Sequence, residues 1–119
     1  MNKKRVERYI PKALEVLEEE FAQNKIPMEY NAYISSFGAS LIQSGLKATI
    51  ALFENRNSQT KEDKNRLTKI ILKILEENRK EESLLKYIIE SPEDEIVLKE
   101  RIKDISIAIK LAIRTFELK

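Results

Sequence analysis

Histidine and cysteine are both absent from this chain of 119 residues. Without cysteine there is no disulfide framework, no thiolate nucleophile and no Fe–S site. Without either residue the usual ligands of zinc, copper and haem are missing, which leaves only oxygen-ligand metal sites open. The lack of histidine also removes the commonest general base, the Ser-His-Asp triad and the Glu/His di-iron motif. No GxxxxGK[ST] or GxGxxG loop is present to cradle a phosphate. These absences point away from an enzyme and from any cofactor or metal. Glycine and proline are scarce, at two and three residues, which suits a helical protein and argues against disorder. No apolar run approaches the length that spans a bilayer. The start Met1-Asn2-Lys3-Lys4-Arg5 leads into an amphipathic helix and not a signal-peptide core. The expectation is a cytoplasmic protein without a membrane partner.

What the chain does have is charge, 35% of its residues, against 42% hydrophobic ones, a composition fit for one all-α domain over residues 1–119. The formal net charge is only +2, but its distribution is uneven. Residues 1–30 hold six basic and six acidic groups, residues 31–80 nine and five, and residues 81–119 seven and nine. Against this background the stretch from Tyr33 to Phe53 carries a single charged side chain, Lys47, and both glycines, Gly38 and Gly45. It reads as a buried helix–turn–helix corner around which the other helices pack. The small residues Ser35, Ser36, Gly38, Ala39 and Ser40 would admit a neighbouring helix, and Ser44 is placed to cap the second helix of the corner.

Hydrophobic periodicity predicts five to six helices. The first covers about Lys3 to Ala22 with Val6, Ile10, Ala13, Leu14, Leu17 and Phe21 inward. Pro11 interrupts this pattern, so either the first turns are kinked or the regular helix begins near Ile10. Helices follow over about Met28–Gln43 and Leu46–Glu54, then a loop over Asn55–Gln59. Thr60 and Asp63 form a capping pair for a helix that buries Leu67, Ile70, Ile71, Ile74 and Leu75. A short helix holds Leu84, Leu85, Ile88 and Ile89. Ser91-Pro92-Glu93-Asp94 combines a cap, a proline at the first helical position and acids in the first turn, and opens a last helix to about Phe116. The alternation from Ile105 to Leu111 also fits a strand, but no hairpin partner or turn lies near it.

The carboxylate clusters at Glu18–Glu20, Glu76-Glu77, Glu81-Glu82 and Glu93–Glu95 each lie beside lysine or arginine and read as solvated helix faces. The basic residues are more informative. Lys47, Arg56, Lys61, Lys64, Arg66, Lys69 and Lys73 gather between the third and fourth helices, and Arg66, Lys69 and Lys73 share a helical face. Such a patch suits phosphate contacts that read no base sequence, although Glu62 and Asp63 dilute it and an ordinary solvated face has the same composition. Lys4, Arg8 and Lys12, four apart, make a second basic stripe on the first helix. The aromatic residues fall mostly on core stripes and offer no base-stacking platform.

The order of features resembles a known family. Tyr33, a small-residue helix ending Leu41-Ile42-x-x-Gly45-Leu46, then Ala48, Ala51 and Phe53 is similar to the small α-helical subunit of the type III-B CRISPR (Cmr) RNA-targeting effector complex. Two positions depart from the family pattern: the proline expected near Gly38–Ala39 is absent, and Ser44 stands where the family has asparagine. The resemblance implies a non-catalytic subunit whose copies stack as a minor filament beside the backbone subunits that hold the CRISPR RNA. It implies target RNA along that stack, other Cmr subunits as partners, and a role in antiviral defence. A helical protein–protein adaptor with no nucleic-acid role is the alternative that balanced charge and small-residue surfaces support.

Overall fold

The computed structural model describes residues 3–21, 25–54, 65–76 and 83–118. Within them the chain forms six α-helices: α1 (Lys3–Glu20), α2 (Glu29–Ser44), α3 (Leu46–Phe53), α4 (Asn65–Leu75), α5 (Leu84–Glu90) and α6 (Glu95–Ile113). Two short strands, β1 (Lys25–Ile26) and β2 (Glu117–Leu118), pair in parallel, with Lys25 opposite Glu117 and Ile26 opposite Leu118. The predicted all-α architecture is therefore the observed one, and the run from Ile105 to Leu111 is helix, not strand. The loop Asn55–Gln59, the Thr60–Asp63 cap and the polar segment Asn78–Glu82 lie outside the described residues.

The centre of the molecule is α6, which packs on α1, α2 and α4. Leu98, Ile102, Ile105, Ala108, Ile109, Ala112 and Ile113 are all buried on it. This corrects the expectation that the Tyr33–Phe53 corner is the hub. On α2 only one face is buried, through Tyr30, Ile34, Phe37 and Leu41. Successive residues turn by about 100°, so Ala32, Ser35, Ser36, Ala39 and Ile42 fall on the far side, and all five are exposed, Ile42 at 67%. Of the small residues predicted to admit a helix, Ser35, Ser36 and Ala39 are exposed, and Ser40 meets α3 at Thr49. A methyl group added at Gly38 would meet nothing within 4 Å.

The corner itself is held by chemistry at its inner face. Phe37 and Phe53 meet edge to face at 5.2 Å, and the buried Thr49 shares a 2.7 Å hydrogen bond with Ser40. Gly45 links the helices at φ 89°, in the left-handed region that disfavours a side chain. Ser44 closes α2 instead of capping α3, whose N-terminus has no side-chain cap. Glycine geometry, and not a hydroxyl, makes the turn.

Other boundaries shift for local reasons. The first helix runs unbroken from Lys3 through Pro11. Pro11 and Glu7 are both exposed, so the carbonyl that loses its N–H partner lies on the solvent side. The last helix starts three residues later than Pro92, because Asp94 is the cap and accepts from the Ile96 N–H at 2.8 Å. Ser91 instead accepts from the Glu93 N–H at 3.1 Å, an ST turn ahead of the helix. At the far end the N–H groups of Thr115 and Phe116 bond back three residues to Ala112 and Ile113, which tightens and ends α6 before Phe116.

Candidate nucleic-acid and subunit interface

Both ends of α1 are pinned by charge. At its C-terminal end Glu20, a half-buried carboxylate, accepts hydrogen bonds from Lys73 Nζ and, at 3.4 Å, from Arg66 Nε. Arg66 also donates to the Glu20 carbonyl and lays its guanidinium over the Phe21 ring, 4.3 Å from the centroid. Burial alone would raise the Glu20 carboxyl, but the bonds and charges of Lys73 and Arg66 outweigh it and hold the group below the usual carboxylate range. At the N-terminal end Arg5 Nε lies 2.9 Å from Asp104 Oδ2 on α6, whose side chain is only 3% exposed. Here burial pushes Asp104 up, Arg5 opposes it, and the neighbouring Glu100 adds to the rise. Next to this pair Arg101 donates to Glu93 at 2.8 Å and to the Tyr9 hydroxyl at 3.5 Å. Burial would lower the Arg101 pKa, but Tyr9 and Glu93 raise it.

This geometry divides the predicted basic patch. Arg66 and Lys73 spend their charge on Glu20, inside the molecule's own α1–α4 contact. Lys69, on the same face of α4, is exposed and has no ion-pair partner among the described residues. Lys47 is exposed on α3, 3.5 Å from Glu95 at the start of α6, a solvent-screened pair of little strength. Arg56, Lys61 and Lys64 lie outside the described residues. On α1, Lys4 and Arg8 are exposed, and Lys12 reaches Glu15 at 3.8 Å.

Sequence reasoning missed the clamp residues Arg5, Tyr9, Glu20, Glu93, Arg101 and Asp104. Asp104 carried little signal, since it follows Lys103 and lies off the inward stripe of Ile102, Ile105, Ile109 and Ile113. Glu20 carried none, because it is one of three adjacent glutamates.

The outward face of α1 has a further property. At about 100° per residue, Lys4, Arg8, Pro11, Glu15 and Glu18 share one side of the helix, with Glu19 beside them. All six are exposed. The face is basic in its first half, where only Glu7 dilutes it, and acidic in its second. No acidic residue stands in the first turn of α1 and no basic one in the last. The order is the reverse of what the helix dipole favours, at a cost of roughly 0.3–1 kcal/mol for each end charge at low salt. Beside the basic half, a cleft of about 280 Å³ between α1 and α6 is lined by Arg8, Tyr9, Ile96 and Val97 among others. Ile96 is 74% exposed and Val97 47%.

Among the described residues no group of three Asp or Glu side chains is placed to hold a metal ion, and no helix is long and apolar enough to cross a membrane. Among the described residues charged side chains fasten helices or decorate outer faces. The family model of the CRISPR-associated protein Cas_Cmr5 matches residues 1–102, from α1 into the middle of α6, and the chain belongs to that family. It is a small subunit of the type III-B CRISPR Cmr complex. No curated protein and no solved structure matches it.

Proposed function

We propose that this chain, as one domain over residues 1–119, is a non-catalytic member of the RNA-guided Cmr assembly in the cytoplasm, acting in antiviral defence. Copies of it stack as a minor filament beside the backbone subunits that hold the CRISPR RNA, and the stack lines the path of the target RNA. The observation that carries this reading is the family match over residues 1–102. Two surfaces support it. The outward face of α2 offers only small or uncharged groups from Ala32 to Ile42, in a chain one-third charged, which fits burial against another protein. The exposed Lys69 has no ion-pair partner among the described residues, and Lys61, Lys64 and Arg56 are close to it in sequence. Single phosphate contacts of this kind are weak, and several copies in line would make them count.

The triple variant Lys61→Glu, Lys64→Glu, Lys69→Glu tests the RNA role. Target-RNA binding by the reconstituted complex is expected to weaken at least severalfold, with the helical circular dichroism and melting of the subunit unchanged. Binding at the wild-type level would sink the assignment of this patch. Co-purification separates the assembly role from an unrelated adaptor: recovery with CRISPR RNA and backbone subunits supports it, and recovery only with other proteins overturns it.

A further inference from the structure

The acids of α6 are paired and most of its cations are not. Glu95 lies 3.5 Å from Lys47, and Glu100 and Asp104 both face Arg5, at 3.6 and 2.9 Å. Among the described residues Arg101 is the one cation of this helix with an ion-pair partner, Glu93. Lys99, Lys103, Lys110 and, at the C-cap, Arg114 have none, and Lys103 acts on Asp104 only as a charge beyond ion-pair distance. At about 100° per residue these four fall within a sector of about 60°, opposite the buried Ile102, Ile105 and Ile109. They form two pairs, Lys99 with Lys103 and Lys110 with Arg114, each four residues apart. The second pair repeats the first after eleven residues, about 16 Å and close to three helical turns, so the row runs nearly straight along α6. The helix dipole accounts for Lys110 and Arg114 near the C-terminus, but not for Lys99 and Lys103 in the first half. Acids outnumber bases in residues 81–119, nine to seven, so composition conceals the row. Three of its four positions lie beyond residue 102, where the family match ends, so family membership assigns it no role.

Two large apolar side chains share this side of α6. Ile96 is 74% exposed and Leu111 40%, and both project within about 60° of the cation row. A nucleic-acid backbone laid on the row would pair the cations and leave these two uncovered. An acidic amphipathic helix covers both, with carboxylates at the same four- and eleven-residue spacings and leucine, isoleucine or valine between them. The outward acids of this chain's own α1 span only about 6 Å, from Glu15 to Glu19, against about 22 Å for the row, so α1 of a second copy does not match. We infer that this side of α6 docks an acidic amphipathic helix from another subunit of the Cmr assembly, with Lys99, Lys103, Lys110 and Arg114 facing its carboxylates and Ile96 and Leu111 its apolar residues. The inference rests on the assembly role proposed above and adds the surface used and the chemistry of the neighbour. The far side of α6 is core, so the row is held in place before the partner arrives, which lowers the ordering cost of docking. Each exposed ion pair contributes little alone. The apolar contacts supply adhesion, and the charges set register and exclude basic partners.

Two measurements on the complex reconstituted with guide RNA test this. In the first, the photo-reactive p-benzoylphenylalanine replaces Leu111, and the cross-linked product is identified by mass spectrometry. The expected product is a peptide of another Cmr subunit that carries aspartate or glutamate beside apolar residues. An adduct with RNA, an adduct with a second copy of this chain, or no adduct overturns the inference. In the second, two variants are titrated against the complex lacking this subunit, one with Lys99→Glu and Lys103→Glu, the other with Lys110→Glu and Arg114→Glu. Each is expected to bind severalfold more weakly and with a shallower dependence on salt, while Lys99→Arg with Lys103→Arg binds as wild type does. Wild-type binding by both charge reversals overturns the inference. Normal loading with weakened capture of target RNA assigns the row to nucleic acid and also overturns it. Should a reversal lower the melting temperature, the cross-link still decides. Failure of the wild-type protein to enter the complex is a different result: it removes the proposed function itself.

Discussion

The two ends of α1 are fastened by ion pairs of opposite character. At Glu20 two cations surround one carboxylate, one of them stacked on Phe21, and the acid is stabilised in its charged form. At Asp104 one half-exposed guanidinium faces a deeply buried acid with a second carboxylate, Glu100, near by, and the charged form is disfavoured. The same pairing of residue types thus gives opposite signs. What decides is the count of opposing charges set against the loss of water. The α1–α4 end is a fastening that adds stability. At the α1–α6 end the pair with Arg5 offsets the burial of Asp104 only in part, so that ion pair is carried at some cost.

The strongest test of this contrast removes the platform of the first clamp. Phe21→Ala deletes a buried ring that meets Tyr30 edge to face at 5.2 Å and carries the Arg66 guanidinium. Urea unfolding at neutral pH is expected to show a loss of about 3–4 kcal/mol, with part of it from the stacked cation. A loss below about 1 kcal/mol would mean that this end of α1 is not fastened as described.

Glu20→Gln comes next. It keeps the shape and removes the charge that Lys73 and Arg66 hold, for an expected loss of about 1 kcal/mol at pH 7, after allowing for solvent access to Arg66. The folded state lowers this pKa, so the contribution is present above the ordinary carboxylate range and is lost as pH falls through it. Wild type and variant should converge only once pH has fallen below the ordinary carboxylate range and through the lowered folded value. A gap that persists at acid pH would show that the hydrogen-bonding shape, not the charge, supplies the stability.

Asp104→Asn should have the smallest effect and the opposite sign. The folded state raises this pKa, so ionisation costs stability at neutral pH and protonation restores it as pH falls. The variant is expected to gain up to about 1 kcal/mol at pH 7, with wild type catching up under acid. Clear destabilisation at pH 7 would mean that Arg5 holds the carboxylate more firmly than burial opposes it, and the contrast between the two ends would collapse.

How legible was this in the sequence? The apolar stripes were, because periodicity reports burial directly: Leu67, Ile70, Ile71, Ile74 and Leu75 were predicted inward and are all buried. Boundaries were less so. Asp94 and Ser91 are both good caps, and their competition is settled by backbone geometry that composition does not carry. The hub was misplaced because a lack of charge in Tyr33–Phe53 was read as burial. On α2 half of those uncharged residues face outward, so the missing charge marks a surface as much as a core. The candidate site divided for a related reason. Arg66, Lys69 and Lys73 are equivalent on a helical wheel, and only the position of Glu20, far away in sequence, separates the committed cations from the open one.

Glu54 closes α3 and accepts the backbone N–H of Leu84, the first residue of α5, at 2.9 Å across a separation of thirty residues. The chain thus leaves the frame and returns to the same point, with α4 packed inside the excursion. A change in the number of residues between Glu54 and Leu84 would alter the closure entropy of that span only slowly, by about 0.6 kcal/mol for each doubling, while this hydrogen bond holds the end of α3 to the start of α5.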